Sequence, residues 1–124
     1  MSNYTIRVSE HASDRIRERS GINKKAAQKL AERAYEQGIK HSETSGNLYR
    51  FISSITCSHK RKGTDIRLYG DKVFIFSKFT KFKEKITDTE GNRVITLVTV
   101  LQIPNNFNNR VKSIMSKKKQ EEIT

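Results

Sequence analysis

His11, Arg15 and Arg19 stand at i, i+4 and i+8, which at about 100° per residue sets them within roughly 80° on one helix face. Glu18, seven residues from His11, falls on the same stripe, while Ala12 and Ile16 occupy the adjoining face that would point into a core. Cleaving RNA without a metal needs a base for the 2′-hydroxyl proton, an acid for the leaving oxygen and positive charge where the phosphorane forms. His, Glu and Arg can supply all of these, with His11 as base or acid and Arg15 and Arg19 opposite the developing charge. The same spacing fits a plainer arrangement, in which His11 bonds to backbone at a helix start and the arginines pair with Glu18 or Asp14 on a solvated face.

A second chemical signal runs from Phe76 to Lys85, where cations interleave with rings. Lys78, Lys81 and Lys83 suit phosphates, and Phe79 and Phe82 suit stacking on unpaired bases. The competing reading puts these rings in a core or subunit interface and leaves the lysines to keep an exposed edge soluble. The loop Lys60-Arg61-Lys62 and the run Lys117-Lys118-Lys119 would add phosphate affinity with little selectivity. Cys57 and His59 lack the second ligand pair of a structural zinc site and His41 has no paired spacing, so no metal site is expected. No phosphate-cradling G-x-x-x-x-G-K-[ST] or G-x-G-x-x-G run occurs, and no cofactor is expected.

The elements that must position these residues follow from periodicity and punctuation. Tyr4 to Val8 reads as a short strand, and Ser9 offers an oxygen to the first amides of a helix from Glu10 to about Ser20, ended by Gly21. Asn23 caps a second helix that stops at Gly38 and carries Ala26, Ala27, Leu30, Ala31, Ala34 and Tyr35 on one side. His41 to Asn47 reads as a loop, and Leu48, Phe51, Ile52 and Ile55 as a short third helix. Asp65 to Tyr69 and Lys72 to Phe76, separated by Gly70-Asp71, read as a tight hairpin. Val94 to Leu101 is apolar on both faces and is expected to be the central strand. Phe107, Val111, Ile114 and Met115 predict a C-terminal amphipathic helix, with the final residues disordered.

The resulting order, β-α-α-α-β-β-β-α, predicts an α+β fold with a small, mostly antiparallel sheet. One domain over residues 1–104 and a C-terminal helix and basic tail over 105–124 are expected. With 124 residues, one core is what the chain can fill. Lys+Arg 25 against Asp+Glu 13 gives a formal charge of +12 and a pI near 10.0, an attraction for RNA, DNA, acidic proteins or anionic lipid. A single cysteine excludes an internal disulfide and suits a reducing compartment. The N-terminal residues lack the order of a signal peptide and no apolar run approaches the roughly 20 residues of a membrane span, so a cytoplasmic place is expected.

The run from Val8 to Ile22, with His11-Ala12, an arginine four residues after the histidine, and Arg19-Ser20-Gly21-Ile22, resembles the opening of small bacterial and phage toxin-like domains. It is similar to the RelE-type ribonucleases of the wider barnase, EndoU, colicin and RelE superfamily. The resemblance touches Asp65 to Phe76 and Val94 to Pro104 as well, where such domains carry a hairpin and a closing strand. It implies metal-independent endoribonuclease activity, RNA held on the open face of the sheet, and His11, Arg15 and Arg19 at the motif positions. Arg67, Tyr69 and Thr99 would face the same cleft, with Arg67 joining the lysines on phosphates. An acidic antitoxin is the partner such a toxin would have. The alternative is a non-catalytic basic protein of a phage or mobile element, which inhibits a host nucleic-acid complex by occupying a nucleic-acid groove or an acidic partner surface.

Overall fold

The structure, a computed structural model, describes residues 4–58, 64–78 and 93–123. The first strand, β1 (Tyr4–Val8), passes into helix α1 (Glu10–Ser20) through Ser9, whose Oγ accepts the Ala12 amide at 3.1 Å. The Ser9 amide also donates to Leu97 O at 3.1 Å, which fastens the strand-to-helix junction to the far end of the chain. Gly21 ends α1 at φ +69°, where its amide closes on Arg17 O. Asn23 caps α2 (Lys24–Gln37), and Ala27, Ala31 and Ala34 lie fully buried on its inner side.

Gly38 then turns the chain into β2 (Ile39–Lys40), a two-residue strand that the sequence pattern does not announce. A single 3-10 turn, His41–Glu43, leads into α3 (Gly46–Ser58), longer than the expected helix. The hairpin forms as predicted, from β3 (Thr64–Tyr69) and β4 (Lys72–Ser77). It is followed by β5 (Arg93–Gln102) and, after a 3-10 turn, by α4 (Asn108–Ile123). The last helix runs on through the lysine run to Ile123, where disorder was expected.

The five strands lie in the order β1-β5-β4-β3-β2, with β1 parallel to β5 and every other pair antiparallel. The fold is α+β with a mostly antiparallel sheet, as the sequence predicts. The middle strand is β4, not β5, because β1 adds on the outer side of β5.

Strand alternation divides the interior into two cores. Phe74 and Phe76 face Ala12 and Ile16 of α1 and the alanines of α2, together with Ile95, Leu97 and Val100. Val73 and Ile75 face the other way, toward Leu48, Ile52 and Ile55 of α3 and Val111 of α4. Helices therefore cover both faces, and the open sheet face implied by the resemblance is occupied over β2, β3 and β4. On its remaining part, Thr5 and Arg7 of β1 are exposed.

Candidate nucleic-acid interface

The α1 row is solvent-facing. Ala12 and Ile16 are fully buried, and this anchors the helix so that His11, Arg15 and Arg19 all stand exposed on its outer side. Glu18 sits 3.9 Å from Arg15, and Asp14 accepts a hydrogen bond from Arg17 at 2.7 Å. Both pairs are exposed and i,i+3, so each adds only a few tenths of a kcal/mol to the helix. His11 lines neither of the two cavities described below. Because α4 packs on the opposite sheet face, it leaves this row uncovered.

The strand residues go elsewhere. Arg67, flanked on β3 by the core residues Ile66 and Leu68, is only 6% exposed. Its guanidinium donates to Asp65 Oδ1 through Nη1 and to Tyr35 O through Nε at 3.2 Å, and lies 4.7 Å over the Tyr35 ring. Lys78 reaches the second Asp65 oxygen at 3.6 Å. These side chains line a polar cavity of about 590 Å³ that Lys40, His41, Ser42 and Tyr49 complete. Tyr69, two residues along β3, lines a different cavity of about 780 Å³ with Gln37, Val111, Lys112 and Met115.

Thr99 departs furthest from expectation. Leu97 pairs with Phe76 but Thr99 pairs with Ile75, so Val98 is an extra residue in β5. The bulge turns Thr99 to the α3 side of the sheet, away from Arg67 and Tyr69. The cleft in which Arg67, Tyr69 and Thr99 would meet is therefore not formed. Lys60, Arg61, Lys62, Phe79, Lys81, Phe82 and Lys83 lie outside the described residues.

The His41 turn was missed at the level of sequence, where it read as a plain loop. In the fold, His41 stacks on Tyr49 with centroids 4.2 Å apart, and its Nε2 lies 3.1 Å from Ser53 Oγ and 3.3 Å from Tyr49 O. The Ser53 hydroxyl already donates to Tyr49 O at 2.9 Å. The His41 ring is thereby tied to α3 through both groups. Across the cavity, burial first and the Asp65 charge second push the Tyr35 phenol above its ordinary range.

The turn is held from α4. Lys118 donates to Glu43 Oε1 at 2.9 Å and to Gly38 O at 3.0 Å, and the Lys40 amide donates to the same Glu43 oxygen at 2.8 Å. Burial by itself opposes the Glu43 charge, but the Lys40 amide and the Lys118 ammonium outweigh it and hold the carboxyl below its ordinary value of 4.5. A carboxyl lowered on folding stabilises the native state above its unfolded pKa, and that stabilisation disappears as the pH falls through the lower folded value. Glu43→Gln should therefore flatten the loss of stability below about pH 4.5. Urea midpoints at pH 6 and pH 3 for both proteins check this, and parallel acid losses would refute it.

Comparisons with protein-family models, with curated proteins and with solved structures return no match for this chain. Among the described residues, no group of three or more His, Cys, Asp and Glu is placed to hold a metal ion. No helix among them is long and apolar enough to cross a membrane.

Proposed function

We propose that this protein binds RNA and that the α1 row is its candidate centre for metal-independent, RelE-type cleavage. The observation that supports this is the exposure of His11, Arg15 and Arg19 together on a helix whose other side is locked into the core, on a chain of charge +12. In the proposed reaction His11 accepts the 2′-hydroxyl proton, the freed oxygen attacks phosphorus, and the bond to the 5′-oxygen breaks. That oxygen takes up a proton from water, and the exposed His11 returns its own proton to solvent, so the ends are a cyclic phosphate and a 5′-hydroxyl. Arg15 and Arg19 face the charge that gathers on the phosphorane oxygens.

The test is incubation of purified protein with total RNA in EDTA, followed by end-group chemistry. His11→Ala should abolish cleavage, by roughly 100-fold or more, while RNA affinity changes less than about twofold, since proton transfer and phosphate attraction are separate. Equal cleavage by both proteins would remove His11 from the mechanism. One observation favours a second, non-catalytic reading: the His11 ring lies on an open helix surface and lines neither cavity. Salt-sensitive RNA retention by both proteins with no new ends would establish that reading instead.

A further inference from the structure

The polar cavity between α2, the His41 turn and β3 has no role in the reading above. The geometry points to it as a nucleotide pocket, taking one phosphate-bearing unit with its base stacked at the mouth. The inference deepens the RNA reading and rests on it for the natural occupant, although the pocket lies apart from the α1 row.

Three features converge. The first is charge: among the described residues, Lys40, Arg67 and Lys78 line the cavity against one carboxylate, that of Asp65. Asp65 is itself engaged by Arg67 and Lys78, so an entering anion meets a net positive wall. The second is a fixed aromatic surface. Tyr49 is 44% exposed at the lining, and His41, tethered to Ser53 and to the Tyr49 carbonyl, backs it in a stack. An exposed ring of this kind is what unpaired bases stack on without sequence preference.

The third feature is preorganisation. Arg67 is held by Asp65 and by Tyr35 O before any ligand arrives, and Lys118 pins the His41 turn through Glu43 and Gly38. A cavity of about 590 Å³ lies within the usual range for a single small ligand. An acidic peptide would use the cations and leave the Tyr49 surface idle, whereas a nucleotide uses both. The Ser42 hydroxyl at the lining adds a group able to donate to or accept from a ribose hydroxyl.

The experiment is an amide NMR titration of the full chain with adenosine 3′-monophosphate, inorganic phosphate, an eight-residue oligoadenylate and oligoglutamate. It is run on the wild type and on Lys78→Met, Tyr49→Ala and Lys112→Met. Lys78 and Tyr49 are both partly exposed, so their replacement leaves the cores intact. Lys112 lines the other cavity and controls for the loss of one charge.

The monophosphate should shift the amides of Lys40, His41, Ser42, Tyr49 and Lys78. Lys78→Met should weaken it about tenfold, Lys112→Met less than twofold, and Tyr49→Ala at least about fivefold with inorganic phosphate unaffected. If the oligoadenylate shifts only α1 amides, or Lys78→Met and Lys112→Met weaken binding equally, the pocket is overturned and RNA binding stands. Silence toward both the monophosphate and the oligoadenylate overturns the pocket and the RNA reading together. Oligoglutamate competing as well as the nucleotide would overturn the assignment of the ligand.

Discussion

Arg67→Met is expected to lower the unfolding free energy by about 3 kcal/mol, a large part of what a domain of this size possesses. The methionine can fill the space of the arginine stem, so the loss is electrostatic. Among the described residues, Asp65 would keep the 3.6 Å approach of Lys78 as its remaining ion pair, and the Tyr35 carbonyl would lose the donor that Nε supplies. Removing one member of a buried pair leaves the other desolvated and uncompensated, which costs more than removing both. The double variant Asp65→Asn with Arg67→Met should therefore regain part of the loss. Urea unfolding of the two single variants and the double variant checks this. A change below about 0.5 kcal/mol in Arg67→Met would show that the pair is solvated and not a fixed part of the pocket wall.

Gly38→Ala is expected to cost about 2 to 3 kcal/mol through overpacking. A methyl carbon there would overlap the Ala34 carbonyl oxygen and come within 2.9 Å of the Arg67 Cβ and 3.2 Å of Leu68 O. Two of those three atoms are backbone and cannot swing aside, so the end of α2 must lift from β3. The strand β2 is only two residues long and pairs with Leu68 and Arg67, so it has little to resist that motion. Thermal unfolding should fall by several degrees, and amide exchange should accelerate at Ile39 and Lys40 before the rest of the sheet. Unchanged exchange at those two residues would mean that α2 does not set the position of the His41 turn.

Much of the architecture was legible because it is written in local chemistry. Ser9, Gly21, Asn23 and Gly38 mark the ends of α1 and α2 where the structure has them, and Gly70-Asp71 marks the hairpin. The doubly apolar pattern of β5 correctly says interior, but it carries no information on which neighbour comes next, and β1 takes the outer side. β2 has no pattern of its own and exists because the end of α2 is pressed against β3. The position of Thr99 depends on one inserted residue, Val98, which alternation along the strand cannot reveal.

The polar cavity was illegible for a related reason. Its lining comes from α2, β2, the 3-10 turn, α3, β3 and the residue just beyond β4, with no motif joining them. The available signal was Arg67 itself, a charge between two core residues of a strand, which demands a buried partner. The exposed row on α1, by contrast, follows from its spacing opposite Ala12 and Ile16.

The pairing of β1 with β5 also bears on how the chain is made. Ser9 bonds to Val98 O, 89 residues downstream, and a translating ribosome adding about 5 to 20 residues per second needs roughly 5 to 20 seconds to deliver that partner. Until β5 is made, Ala12, Ile16 and the alanine row of α1 and α2 stand against an incomplete surface, because Ile95 and Leu97 join Phe74 and Phe76 only at its end. The nascent chain is therefore an amphipathic helical pair whose apolar faces lack their full sheet until β5 arrives.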